Sequence, residues 1–145
     1  ANITAMDVSA DALAVAKENA SRNGIGNINF VRADIFSDTL PPKTFDVIVS
    51  NPPYIALKEF LSLLPEVRDF EPRIATTDEG DGLKFIRRIA YVAVQQLNDG
   101  GFLLIEIAYN QSEQAAHILQ QAGLRDVEVF QDFAGHPRIL SARKA

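Results

Sequence analysis

Two hydrophobic periods alternate along the chain. Ile3 to Val8 reads as a buried strand, with Asp7 at its C-terminal end. Ser9 is placed to cap a helix over Ala10 to Asn23, where Leu13, Ala16 and Ala20 share one face and Gly24 supplies a left-handed stop. Asn27 to Arg32 is a short strand running into Ala33-Asp34-Ile35-Phe36, and Ser37 to Thr44, with Pro41 and Pro42, is a loop. Phe45 to Ser50 is the next strand. From Ile55 to Asp81 no period is sustained and Pro65 and Pro72 interrupt, which predicts an irregular segment with one short helix. Phe60, Leu61, Leu63, Leu64, Val67 and Phe70 make it too apolar for disorder, so an ordered lid beside a site is expected. The helical period returns over Leu83 to Leu97, with Leu83, Ile86, Ile89 or Ala90, Ala93 and Leu97 inward, and Asn98-Asp99-Gly100-Gly101 ends it. Phe102 to Ile107 is a near-continuous apolar strand of the kind buried on both faces. Ser112 to Ala122 is a helix stopped by Gly123, with Ala115, Ile118, Leu119 and Ala122 inward. Val127 to Asp132 and Arg138 to Arg143 are strands joined by the loop Phe133 to Pro137. This alternation predicts an α/β domain with a mostly parallel sheet and a C-terminal antiparallel hairpin.

Composition narrows the function more than the fold. The 145 residues suit one domain, and 47% apolar with 23% charged residues is enough to bury a core. No cysteine is present, which removes disulfides and thiolate metal sites. A net charge of −5 weighs against a broad nucleic-acid footprint and favours a protein or small-molecule substrate. No apolar stretch reaches membrane-spanning length and no basic leader opens the chain, so a cytoplasmic location is expected. The sequence opens on Ala1 and runs at once into a strand, which reads as the middle of a domain, so residues 1–145 are expected to be one truncated domain.

The chemistry concentrates at strand ends, where open α/β sheets bind their ligands. Asn51-Pro52-Pro53-Tyr54 follows directly on Phe45 to Ser50. A residue before proline is pushed to extended geometry and proline has no N–H, so the Asn51 side chain and the Pro52 carbonyl are held stiffly with no backbone donor nearby. Two acceptors facing one small space suit a planar –NH2 group, with Tyr54 covering its face. An ordinary proline turn is the alternative. Asp7 suits a ribose diol or, equally, a helix start. Asp34 could accept from an adenine amine with Ile35 or Phe36 against the ring, the alternative being an Asx turn.

With these residues in place the sequence resembles the class I S-adenosylmethionine-dependent methyltransferases of Rossmann-like fold. Within them it is similar to the protein-glutamine N5-methyltransferases that modify the Gly-Gly-Gln loop of peptide-chain release factors. The resemblance is carried by Ala5-Met6-Asp7-Val8-Ser9, Arg32 to Phe36, Phe45 to Ile55, Val67 to Pro72, Gly80-Asp81-Gly82-Leu83 and Gly100 to Ile107. It implies S-adenosylmethionine as cofactor, with Asp7 on the ribose hydroxyls, Asp34 and Ile35 at the adenine, and Asn51 between cofactor and substrate. It implies that the Asn51 side-chain oxygen and the Pro52 carbonyl accept the two amide hydrogens of the target glutamine, beside Pro53 and against Tyr54. Glu106 and Tyr109 flank the next strand end, although the family usually has glycine where Ala108 stands. The family's first strand, its Gly-rich cofactor turn and its N-terminal helical domain do not occur in these residues, so the chain alone is expected to bind cofactor poorly and to be inactive.

An amide nitrogen is a poor nucleophile because its lone pair is delocalised, so methyl transfer to it depends on a sulfonium leaving group and strict in-line placement. Two alternatives are kept. A nucleic-acid amino-group methyltransferase requires a basic groove from Arg68, Arg73, Lys84, Arg87 and Arg88. A non-catalytic nucleotide-binding or assembly module would keep the fold without the chemistry.

Overall fold

The computed structural model describes residues 1–37, 40 and 44–145, so the loop expected over Ser37 to Thr44 falls largely outside the described residues. The chain divides into two compact units, Ala1–Pro41 and Pro42–Ala145.

The first unit is a parallel βαβ element. β1 (Ile3–Asp7) and β2 (Ile28–Arg32) pair in parallel from Ile3↔Ile28 to Asp7↔Arg32, joined through α1 (Ala10–Arg22). Ser9 caps α1 as its sequence predicts, its hydroxyl accepting the Ala12 N–H at 3.2 Å. Leu13 and Ala20 form the buried stripe, and Gly24, at φ +67°, takes the left-handed conformation that ends the helix.

The second unit holds a four-stranded mixed sheet in the order β3-β4-β6-β5. β3 (Phe45–Ser50) runs parallel to β4 (Leu97–Glu106), while β5 (Arg125–Gln131) and β6 (Pro137–Arg143) form the expected antiparallel hairpin, with β6 inserted beside β4. α5 (Lys84–Gln96) and α6 (Ser112–Gln121) pack on each other and on this sheet. Their inward residues Ile86, Ile89, Ala90, Ala93, Ala115 and Leu119 meet Leu103, Ile105, Leu140 and Ala142, all buried. The helix positions read from period 3.6 therefore form this core, with Ile118 and Ala122 at its half-buried margin.

Three features depart from expectation. The segment 55–81 carries three four-residue helices rather than one: α2 (Leu57–Phe60), α3 (Pro65–Arg68) and α4 (Arg73–Thr76). Each is too short to show a period, and Pro65 and Pro72 start α3 and α4 where a missing N–H costs nothing. Within this segment Phe60 is buried, whereas Leu61, Leu64 and Phe70 are exposed. Second, Asn98 to Gly101 belong to β4 instead of preceding it. Gly100, at φ +77° and donating its N–H to the Lys144 carbonyl, and Gly101, whose carbonyl accepts the Lys144 N–H, carry the strand through a register shift opposite Phe45 and Val47. Third, β4 is not buried on both faces: Leu103 and Ile105, like Ile107 just beyond it, are fully buried, but Phe102 is 45% exposed beside its neighbour Val47. No helix among the described residues is long and apolar enough to cross a membrane.

Candidate active site

Both units place polar residues where their strands end. In the first unit Asp7 closes β1, and its Oδ1 accepts the Ser9 N–H at 2.7 Å. Asp34 follows β2 by two residues, and its Oδ1 accepts the Phe36 N–H at 2.9 Å, forming an Asx turn that half-buries Ile35. The Asp7 carbonyl accepts the Ala33 N–H at 3.1 Å, which sets the two strand ends side by side. Both carboxylates are exposed, and each has one oxygen without a partner among the described residues. The helix-start and Asx-turn alternatives are thus fulfilled by one oxygen of each group, and the other remains able to accept a hydroxyl or amine.

In the second unit Asn51 leaves β3 exposed, and no hydrogen bond engages its side chain among the described residues. Pro52 is buried and Pro53 and Tyr54 half-buried. The turn is pinned on both sides. Before it, the β3–β4 ladder reaches Ser50↔Ile105. After it, Ile55 N–H donates to Thr76 O at 3.2 Å and Leu57 N–H to Gly80 O at 3.0 Å.

Tyr54 is held at its two ends. Its hydroxyl donates to Glu106 Oε1 at 3.1 Å, and its carbonyl accepts from Gln111 Nε2 at 2.8 Å. Burial, then the Glu106 hydrogen bond and charge, push the phenol above its ordinary value of 10.0, opposed by the Arg138 charge. Arg138 is itself fixed by Asp132 Oδ2 at 3.3 Å and by the Ile107 carbonyl at 3.5 Å. Glu106 thus stands where its strand-end position suggested, whereas Tyr109 turns its ring toward His136, 5.7 Å between centroids. Ala108 donates its N–H to Gln111 Oε1 at 3.1 Å.

Gln111 and Arg138 were not visible in the sequence as site residues. Gln111 carries no periodic signal, lying one place before α6, and Arg138 reads as an ordinary strand residue. Only the Asp132-to-Arg138 bracketing of a Gly-Pro loop hinted at a tied hairpin. Among the described residues no cluster of His, Asp or Glu could hold a metal ion. An open cleft of about 940 Å³ between α2, residues 80–83 and α6 is lined by none of the predicted site residues.

The model of a methyltransferase domain matches residues 1–131. The release factor glutamine methyltransferase of Fusobacterium nucleatum is 39% identical over 99% of this chain and 41% of its own length. That of Bordetella pertussis is 44% identical over 96% of this chain and 51% of its own. The chain spans about half the length of the curated relatives it matches. The solved structure of a methyltransferase from Pyrococcus furiosus superposes with a TM-score of 0.70 at 21% identity, covering 99% of this chain and 63% of that one. The strand-end residues sit on a fold shared with methyltransferases, and the chain belongs to the methyltransferase domain family.

Proposed function

We propose that this chain is the catalytic part of an S-adenosylmethionine-dependent methyltransferase acting on the side-chain amide nitrogen of a glutamine in peptide-chain release factors. The observation that carries it is the Asn51 turn: an unengaged amide at a strand end, followed by two prolines and a tyrosine tied at both ends. The relatives named for that reaction, matching nearly the whole chain, support it.

The residues present fit the cofactor. Asp7 and Asp34 each keep a carboxylate oxygen available at adjacent strand ends, the donor-acceptor match for a ribose diol and an adenine amine, with Ile35 beside them. When bound, the cofactor supplies an electrophilic methyl group on a sulfonium leaving group. The chain's own work is placement. Asn51 Oδ1 and the Pro52 carbonyl accept the two hydrogens of the substrate amide, which fixes the nitrogen and stabilises positive charge developing on it. Tyr54 covers one face of the amide and limits water. No base is needed beforehand, since the proton is lost after the nitrogen is alkylated. Release factors work in the cytoplasm, which is where this reading places the protein.

The basic groove required for a nucleic-acid substrate is weakened by its own neighbours. Arg68 pairs with Asp69, Arg73 with Glu79 and Arg87 with Asp81.

Methyl-labelled cofactor given to a protein of the relatives' full length that contains these residues, with a release factor and separately with RNA and DNA, tests the reading. Label is expected in the release factor only, and Asn51→Ala should lower it about 100-fold. Label in nucleic acid alone would overturn the assignment.

A further inference from the structure

We propose that Gln111 is a positioning residue for the methyl-acceptor turn, an inference that rests on the reading above. Its side chain is 7% exposed and ties together three segments distant in sequence. Nε2 donates to the Tyr54 carbonyl at 2.8 Å and to the Gly82 carbonyl at 3.2 Å, while Oε1 accepts the Ala108 N–H at 3.1 Å. A primary amide has two N–H donors, so both are spent on backbone carbonyls. One of those carbonyls belongs to the last residue of Asn51-Pro52-Pro53-Tyr54.

Gly82 makes the approach possible. Its φ of +81° lies in the left-handed region, and a Cβ there would stand 2.5 Å from Gln111 Nε2 and 2.6 Å from the Tyr54 carbonyl. The clamp therefore needs three matched parts: an amide at 111, no side chain at 82, and a turn that presents its carbonyl outward. The β3 ladder fixes the turn where it begins, and Gln111 fixes it where it ends. Without the amide, the Tyr54–Ile55 peptide keeps only the Ile55 N–H bond to Thr76 O while the phenol stays tied to Glu106, and the Asn51 and Pro52 oxygens lose their set spacing. Because these oxygens orient the acceptor nitrogen, the loss should fall on turnover and not on cofactor affinity.

Two variants test this. Gln111→Glu keeps the size and removes both donors, placing a carboxylate oxygen against two carbonyls. Gln111→Met keeps the volume without charge, so it serves if the buried carboxylate prevents folding. In either folded variant, amide hydrogen exchange at Ile55 and Leu57 is expected to accelerate at least tenfold relative to the unsubstituted chain, with Val47 to Ser50 unchanged. In methyl transfer to a release factor, kcat should fall at least tenfold while KM for S-adenosylmethionine stays within twofold. Unchanged exchange at Ile55 and Leu57, or equal acceleration in β3, overturns the proposal, as does a loosened turn with unaltered kcat. If a protein of the relatives' full length that contains these residues transfers no methyl group to a release factor, the functional reading fails, and the exchange experiment still decides whether Gln111 holds the turn.

Discussion

Asn51 and Tyr54 take opposite parts in one turn, one side chain without a partner among the described residues and the other tied down. The freedom of Asn51 follows from local chemistry: proline at 52 and 53 removes the donors that would occupy it. That is why this part of the site is legible in the sequence. The ties on Tyr54 are not legible, because Glu106 lies 52 residues away and Gln111 57 residues away. Three outcomes are expected of Tyr54 and its neighbours. Tyr54 should titrate above 10.0, and in a chain carrying Tyr91→Phe and Tyr109→Phe its ultraviolet titration can be followed alone. Glu106→Gln should bring its pKa down, because it removes the carboxylate charge that opposes ionisation of the phenol. The sign follows from linkage. The neutral phenol is favoured in the folded state, so its contribution is complete below the unfolded value and is lost as pH rises through the folded one. A Tyr54 pKa at or below 10.0 in the parent would contradict the arrangement. Gly82→Ala should cost about 2 to 4 kcal/mol in chemical denaturation, the sum of left-handed strain and steric conflict with Gln111 and Tyr54.

Among the elements, those long enough to repeat a pattern are the ones that sequence reveals. α1, α5 and α6 place nearly every predicted inward residue in or beside a core, and β3 begins and ends where its apolar run does. The four-residue helices α2 to α4 have no period to show, and the start of β4 is hidden by an Asn-Asp-Gly-Gly run that resembles a turn. α5 illustrates a start signal displaced from its expected place. Leu83 offers no side-chain cap, and the buried Asp78 supplies one from five residues upstream, accepting the Lys84 N–H at 3.0 Å and the Gly80 N–H at 2.8 Å. Asp78→Ala should therefore lower stability by about 1 to 2 kcal/mol, read as a lower denaturation midpoint with unchanged slope. No loss would mean that the carboxylate is not the cap of α5.

Over the whole chain, a net charge of −5 and the pairing of Arg68, Arg73 and Arg87 with acidic neighbours leave little field to hold a polyanion. A labelled RNA titrated at physiological salt should bind more weakly than about 10⁻⁴ M, the weak end of non-specific association. Composition made this much legible, as the alternation of hydrophobic periods did the α/β class. The division of the strands into a parallel pair and a four-stranded sheet was not legible, since no local pattern records which strand lies beside which. The proposed glutamine specificity rests on the geometry of two oxygens and not on any charge. The most direct measurement compares methyl transfer to a release factor by Asn51→Asp and Asn51→Ala. A receptor made of acceptor oxygens predicts that the aspartate variant, which keeps one, transfers at least tenfold faster than the alanine variant. Equal rates, or a faster alanine variant, would contradict the role assigned to Asn51.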